Sequence, residues 1–361
     1  MKTYRAAVIG CSRMGGFIDN EVVGSPGHVP PYSHAAGFAA CPRTDLVACA
    51  DVRTDVMEQF GLRYHIPKEG QYTDYRTMIA QERLDIVSVA TQPEPRAEIV
   101  IYAAEHGARA IYAEKAMAAS LHEADAMVAA LERNQVAFNL GTNRRWSPRY
   151  DQMKTLIDSG ELGELKSLIA YNTGTLFNTG SHMFDLIMRL NSDHPAVWAQ
   201  GHLPNADGLI EGELLHEDPR GEGIVHFANG VTAYFMLTPR NTEFEAICSN
   251  GVITAMNDGL DWLVRRRVTV DPNGRTGLQP TVFPPVEEAS STLRLIEDLV
   301  HSLDTGEPPR CGARKALAST ELIFAFVESH RCGGVQVTLP LEKRTLRMQR
   351  KRGPNQPRYQ A

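Results

Sequence analysis

The chain has 361 residues, 43% of them hydrophobic and 22% charged, with a formal net charge of −6. That is enough chain for about two globular domains, and its mild acidity leaves no basic footprint for a nucleic-acid partner. No apolar run approaches the roughly 18 residues of a membrane span, and Met1-Lys2-Thr3 leads straight into an apolar strand rather than a signal peptide. The six cysteines have no C-x-x-C or metal-ligand spacing, and several sit in apolar runs. Reduced packing residues, no metal and a cytoplasmic setting are therefore expected.

Residues 6–9 are a short apolar run with β-branched members, which predicts a buried parallel strand. The strand runs into Gly10-Cys11-Ser12-Arg13-Met14-Gly15, and residues 14–18 open a helix. A glycine turn leading into a helix N-terminus presents free N–H groups and the positive dipole end to a pyrophosphate. The spacing is that of the dinucleotide fingerprint G-x-G-x-x-G, with Ser12 in the place of the middle glycine. Gly10, Ser12, Arg13, Met14 and Gly15 are thus candidate cofactor contacts, although a ligand-free glycine turn carries the same short signature. Residues 19–33 are dense in Gly and Pro, which predicts an inserted loop. Such a loop packs over the cofactor pocket, forms a subunit contact, or is a tolerated surface insertion. A strand at 45–51 ends in Asp51, where an acid hydrogen-bonds the adenosine ribose and repels a 2′-phosphate. Arg53 could instead hold that phosphate, so NAD is expected while NADP stays open.

The alternation then continues. Thr54 caps a helix stopped by Gly61, and Asp74 caps another with Tyr75, Met78 and Ile79 on one side. Strands at 84–90, 108–113 and 136–140 alternate with helices at about 96–106 and 120–134, the latter opened by a Ser120/Glu123 capping box. This rhythm predicts an α/β nucleotide-binding domain over 1–146, a doubly wound parallel sheet with ligands at the strand C-termini. Thr91, Gln92 and Pro93, then Glu114 and Lys115, then Asn143, Arg144, Arg145 and Trp146 follow those strand ends.

Ser147-Pro148 starts a helix, after which the rhythm changes. Strands are expected at 165–171, 196–201, 223–227, 231–237, 244–248 and 263–270, with hairpin signals at Asn229-Gly230 and Asn250-Gly251. Residues 147–345 thus read as an α+β domain with a mostly antiparallel open sheet, closed by helices near 291–303 and 313–329 and a strand at 335–341. The basic stretch 346–361 reads as a solvated, loosely held tail.

Two places carry chemistry. Lys115 stands at a strand tip, where a desolvated lysine can relay a proton or hydrogen-bond a hydroxyl; on an open loop it would be merely solvated. Asn178-Thr-Gly-Ser-His182-Met-Phe-Asp185 precedes apolar residues at helical spacing, so His182 and Asp185 share a face of one turn. A histidine there is either a satisfied structural group or, with its near-neutral pKa, an acid–base group.

Together these pieces resemble the glucose–fructose oxidoreductase / inositol dehydrogenase / MocA (Gfo/Idh/MocA) family over nearly the whole chain. Ala113-Glu-Lys-Ala-Met117 is similar to the family's Glu-Lys-Pro segment, and Asn178-x-Gly-x-His182-x-x-Asp185 to its Asp-x-Gly-x-His-x-x-Asp. The resemblance implies an NAD(P)-dependent oxidoreductase working on a hydroxyl or ketone of a sugar, sugar derivative or cyclitol. It implies that Glu114 and Lys115 approach the nicotinamide ribose and substrate, while residues 91–93 line the cofactor. Asn143, Arg144, Arg145, Trp146, Asn178, His182 and Asp185 would shape the substrate side, and a homodimer or homotetramer would form through the C-terminal sheet. Asn178 stands where many members carry an acid. Since Asn cannot take a proton, a relay would rest on Lys115 and His182, with Asp185 orienting the imidazole. Arg144 and Arg145 would give donors to a polyol or an anionic group, and Trp146 a flat apolar surface. A second reading is a redox-neutral glycosidase or lyase in which NAD oxidises a sugar hydroxyl transiently. A third, a nucleotide-sensing regulator, leaves Lys115 and His182 without a purpose.

Overall fold

The computed structural model describes residues 2–350, and the chain divides into two compact units. The first takes in the chain up to residue 146, residues 289–317 and the chain from 347; the second takes in 147–288 and 318–346.

In the first unit, β1 (Tyr4–Ile9) leads to α1 (Asp19–Val22), α2 (His34–Ala40), β2 (Thr44–Ala50), α3 (Thr54–Tyr64) and β3 (Gln71–Tyr72). Then come α4 (Tyr75–Glu82), β4 (Ile86–Val89), α5 (Pro93–Glu105), β5 (Ala110–Ala113), α6 (Leu121–Arg133) and β6 (Ala137–Leu140). The six strands form one parallel sheet in the order β3-β2-β1-β4-β5-β6. β1, β4 and β5 are mostly apolar, broken only by the exposed Arg5 and the buried Ser88, because helices cover both faces of the sheet. The strand order reverses between β1 and β4, and a doubly wound sheet opens its ligand crevice at that switch.

Two local expectations change here. Residues 19–33 are not one loop: Asp19–Val22 is helical, and the rest returns to Ser33, whose hydroxyl caps α2 by accepting from Ala36 N–H. The Asp19 carboxylate closes the neck, accepting from Tyr32 N at 2.7 Å and Ser33 N at 3.1 Å. α3 does not stop at Gly61 but runs to Tyr64 and ends on His65 in the left-handed region.

The second unit carries α7 (Pro148–Asp158), β7 (Leu165–Asn172), α8 (Ser181–Leu190), β8 (Ala196–His202), β9 (Ile210–Glu211) and β10 (Leu214–Leu215). It continues with β11 (Glu222–Phe227), β12 (Thr232–Leu237), β13 (Glu243–Cys248), β14 (Gly251–Met256), β15 (Asp261–Thr269) and β16 (Thr276–Thr281). Along the chain α9 (Ser291–Thr305), α10 (Ala313–Arg331) and β17 (Val337–Thr338) follow, of which β17 and most of α10 belong to this unit. The main sheet has nine strands, β16-β15-β14-β13-β7-β12-β11-β8-β17, antiparallel except for β7 against β12. Alternation decides its faces: Ala233 and Phe235 of β12 point inward, while Tyr234 and Met236 point out. Phe184 of α8 stacks on Phe235 at 4.6 Å, and Phe326 of α10 meets both edge-on.

The end of the chain departs from expectation. α9 belongs to the first unit: Leu295, Ile296 and Leu299 join the core that holds Phe38 and Phe138. Its N-terminus receives the inserted loop, with Ser290 and Thr292 hydroxyls donating to the Pro31 and Tyr32 carbonyls at 2.5 and 2.9 Å. The closing strand shrinks to β17, because Pro340 has no N–H to continue the ladder. Residues 346–350 are not a loose tail. Met348 is buried and its N–H donates to the Ala119 carbonyl at 2.8 Å, while Arg347 pairs with Glu123 and Arg350 with Glu94, both at 2.9 Å. Both acids sit in first turns, of α6 and α5, whose positive dipole ends favour them. The remainder of the expected tail, 351–361, lies outside the described residues.

Candidate functional site

β1 ends at Ile9, and Gly10 turns the chain with φ of 92°; a Cβ there would lie 3.0 Å from the Ala90 carbonyl. A Cβ on Gly15 would lie 1.9 Å from the Gly10 carbonyl oxygen, so both ends of the fingerprint need glycine. The expected α-helical opening at 14–18 is a π-helical turn, Arg13–Phe17, closed by Ile18 N–H to the Arg13 carbonyl at 2.7 Å. Such turns are rare and gather at functional sites.

Beside this turn lies a cavity of ≈ 370 Å³ whose wall includes Gly10, Ser12, Asp51, Thr91 and Gln92. Arg13, Met14, Gly15, Arg53, Pro93, Glu114 and Lys115 are not part of that wall, nor is the 19–33 insertion, which instead packs on α9. Asp51 follows β2 and is fixed by the turn itself: its carboxylate accepts from Cys11 N at 2.8 Å and Arg53 N at 3.0 Å. The two arginines near it already face acids. Arg13 Nε lies 2.9 Å from Glu21, and Arg53 Nε lies 3.1 Å from Asp55. The wall also takes Thr73 and Tyr75, which sequence reasoning missed because β3, the strand just before them, is two residues long, and Glu98 from α5. A dinucleotide fits this donor set: the glycine turn leaves room for a pyrophosphate, Asp51 offers ribose acceptors, and Thr91 Oγ1 is buried without a protein partner.

The tip of β5 is more tightly built. Glu114 is 5% exposed; one carboxylate oxygen lies 3.2 Å from His34 Nε2, and the other accepts the Lys115 N–H at 3.1 Å. Burial pushes this carboxyl up, but the His34 hydrogen bond and the nearby Lys115 and Arg96 charges outweigh it and hold Glu114 below the ordinary range. Arg96, also buried, donates to the Thr91 and Ala116 carbonyls, and burial pushes its guanidinium down to about 10. Asn143–Trp146 forms a short 3₁₀ turn after β6. Asn143 and Thr142 each keep a buried, unpartnered side-chain oxygen there. Arg144 is half-buried, whereas Arg145 and Trp146 are fully buried. Trp146 packs in the first unit's core, so it does not offer the flat outward surface expected of it. The core takes the indole because it is the largest apolar group in that turn.

In the second unit, the residues before α8 form another π-helical turn, Leu176–Gly180, with Gly180 N–H donating to the Thr175 carbonyl at 2.9 Å. Asp218, which sequence reasoning missed, holds it: the carboxylate accepts from Thr175 Oγ1 at 2.6 Å, Phe177 N at 2.9 Å and Asn178 N at 3.0 Å. Asn178 is exposed on this turn, and His182 is half-buried in the first turn of α8. Asp185 is 0% exposed, an interior group of α8.

Residues 5–142 match the oxidoreductase family with an NAD-binding Rossmann fold. The chain is 24% identical over 320 residues to the myo-inositol 2-dehydrogenase of Thermotoga maritima, covering 82% of this chain and 92% of that protein. It is 30% identical over 163 residues to the D-apiose dehydrogenase of Paraburkholderia graminis, covering 45% of this chain and 38% of that one. For three curated relatives, that enzyme among them, the match spans 37%, 38% and 52% of their length. The aldose-aldose oxidoreductase from Caulobacter crescentus, solved with glycerol, shares the fold at a TM-score of 0.74 and 18% identity, over 94% of this chain and 100% of that one. The glycine turn and the 3-2-1-4-5-6 sheet order agree with that match: residues 5–142 form an NAD-binding Rossmann domain of the Gfo/Idh/MocA oxidoreductase family.

Proposed function

We propose that this chain is an NAD-dependent dehydrogenase that moves a hydride between nicotinamide and a secondary hydroxyl or ketone of a sugar, sugar derivative or cyclitol. The observation that carries the reading is the ≈ 370 Å³ cavity at the β1/β4 switch, with the glycine turn and Asp51 in its wall. Bound there, the dinucleotide would supply the hydride acceptor or donor. Asp51 would hold the adenosine ribose hydroxyls and repel a 2′-phosphate. Arg13 and Arg53, the groups able to neutralise that phosphate, are engaged by Glu21 and Asp55, which supports NAD over NADP. Ser12 and the turn N–H groups would take the pyrophosphate, and Thr91 to Pro93 would flank it.

Lys115 would hydrogen-bond the reacting hydroxyl and exchange its proton, with His182 as the second proton-carrying group. Asn178 would orient the substrate through its amide without taking a proton, and Asn143 and Arg144 would add donors. Relatives named for D-apiose and myo-inositol support a polyol substrate class. A second copy of this chain is the partner assigned to the outer sheet face, where Tyr234 is 39% and Met236 41% exposed. A cytoplasmic setting accords with free thiols at Cys11, Cys41, Cys49, Cys248, Cys311 and Cys332.

Titration calorimetry with NAD⁺ and NADP⁺, then a sugar and cyclitol screen followed by NADH absorbance, tests the proposal. Stoichiometric NADH from one polyol is the expected result. Substrate turnover without net NADH would overturn it in favour of a redox-neutral glycosidase or lyase.

A further inference from the structure

No sequence motif singles out His34. It is the first residue of α2 and is completely buried. Its Nδ1 lies 2.6 Å from the Ser88 hydroxyl on β4, its Nε2 lies 3.2 Å from Glu114, and its ring stacks on Tyr112 at 3.8 Å and 4°. With Glu114 ionised, Nε2 must carry a proton, because a bare nitrogen lone pair facing a carboxylate repels it. Ser88 then has a defined task, to donate to Nδ1 and hold that tautomer. Glu114 passes the order onward by accepting the Lys115 N–H at 3.1 Å. One chain of hydrogen bonds therefore runs from Ser88 through His34 and Glu114 to the Lys115 main-chain N–H, and the Glu114 charge acts on the lysine ammonium through space. A ring kept only for packing would not need polar partners on both nitrogens. Its two contacts also come from different strands, β4 and the end of β5, which an apolar side chain could cover as well.

We infer that His34, backed by Ser88, is a positioning residue that holds the Glu114 carboxylate against Lys115, the group proposed above to exchange the substrate proton, and this role rests on that reading. The charged and titratable groups facing Glu114 are His34 on α2, Lys115 beside it, Arg96 on α5 and Tyr112 on β5. Removing the imidazole donor leaves a buried carboxylate poorly satisfied, and such a group takes up a proton. Lys115 then loses a neighbouring negative charge and gives up its own proton at lower pH.

The test compares wild type with His34→Phe, His34→Gln and Ser88→Ala. Phe keeps a ring to stack on Tyr112 and deletes the donor, whereas Gln keeps an amide N–H and no ring. Lys115 is acetylated competitively with acetic anhydride across a pH series and read by peptide mass spectrometry, which needs no substrate. The expected result is a downward displacement of the Lys115 profile by about one pH unit in His34→Phe, a smaller one in Ser88→Ala, and little in His34→Gln. For any sugar or cyclitol that is turned over, the pH profile of kcat should move in the same order, with KM changing less than kcat. An unchanged Lys115 profile in every variant, or equal displacement in His34→Phe and His34→Gln, overturns the inference by making the ring a packing element. Should His34→Phe fail to fold, the contrast between Ser88→Ala and His34→Gln decides in the same way. A displaced Lys115 profile with no turnover of any polyol would uphold the positioning role and overturn the dehydrogenase reading. Turnover with an undisturbed profile would do the reverse.

Discussion

Asp51→Asn probes the cofactor site where its electrostatics are simplest. The carboxylate accepts from Cys11 N at 2.8 Å and Arg53 N at 3.0 Å, so it both shapes the turn and faces the cavity. An amide of the same shape keeps one acceptor and turns an NH₂ group toward the other N–H. That mismatch should lower stability by about 1–3 kcal/mol, the range for an unsatisfied partly buried group. Cofactor binding changes in two opposite ways. Losing the charge weakens hydrogen bonds to the ribose hydroxyls by roughly 1.5 kcal/mol, about a tenfold rise in Kd for NAD⁺. For NADP⁺ the same change relieves phosphate–carboxylate repulsion of about 1–4 kcal/mol, depending on screening. The ratio of NAD⁺ to NADP⁺ affinity should therefore fall by about 10²–10⁴-fold. Titration calorimetry with each cofactor measures the ratio, and thermal melting of the same samples keeps the folding loss separate. Tighter NADP⁺ binding by the wild type, or an unchanged ratio in the variant, would refute the reasoning and turn attention to Arg13 and Arg53.

Lys115→Met keeps side-chain length without a proton, and His182→Ala removes the imidazole; each should lower kcat by ~10²–10⁴-fold while NAD⁺ affinity stays within a few fold. Near-normal kcat in Lys115→Met would remove the lysine from the chemistry. Asp218→Ala frees three donors of the 175–178 segment. It should lower stability by about 1–3 kcal/mol and reduce kcat, with NAD⁺ binding by calorimetry unaffected. Because burial of Glu114 is outweighed by His34, Lys115 and Arg96, its carboxyl titrates below the unfolded range. It thus adds stability above about pH 4.3 that disappears as pH falls through its folded value. Glu114→Gln should flatten that acid limb in urea melts run at several pH values, and an equally steep limb would count against the assignment. Arg350→Ala removes the donor that reaches Gln92 Oε1 at 2.6 Å and Glu94 at 2.9 Å. It should raise the NAD⁺ Kd about two- to fivefold, less at high salt, as befits a half-exposed ion pair.

The parallel sheet was legible because strands buried on both faces are dominated by apolar residues, as β1, β4 and β5 are apart from Arg5 and Ser88. The strand ends then pointed to Thr91 and Lys115 without any contact being known. Other elements carry no such imprint. β3 is two residues long, and β16 is mostly exposed with Gly277 and Pro280 inside it, so neither shows a period. An amphipathic pattern says that α9 has an apolar face, not which sheet that face covers. The same limit hid the fate of Trp146, since an aromatic residue at a strand tip suits a core as well as a ligand. Asp218 and His34 were invisible for a different reason. Each is a single polar residue whose partners lie far off in the chain, Asn178 for one and Ser88 and Glu114 for the other, and no local spacing records such a pairing.

The family departures at Ser12 and Asn178 share a physical setting that explains why the chain tolerates them. Both stand in or immediately before π-helical turns, Arg13–Phe17 and Leu176–Gly180. A π turn spaces its hydrogen bonds more widely than an α-helix and leaves N–H groups at its start that need acceptors from elsewhere. At Leu176–Gly180 a carboxylate from a distant segment provides them, Asp218 accepting from Phe177 N and Asn178 N, while Asp51 anchors the chain just ahead of the first turn by accepting from Cys11 N. A charged acceptor on a backbone N–H is among the stronger hydrogen bonds available to a turn. The backbone course at both places is thereby set by acids outside the motif, while glycine is still demanded at Gly10 and Gly15, where a Cβ would strike backbone. Side chains at positions 12 and 178 are then free to vary in chemistry without moving the turn that carries them. On this account Asn178 in place of an acid removes a titratable group from the turn, while Asp218 keeps the backbone course of the segment that leads into α8.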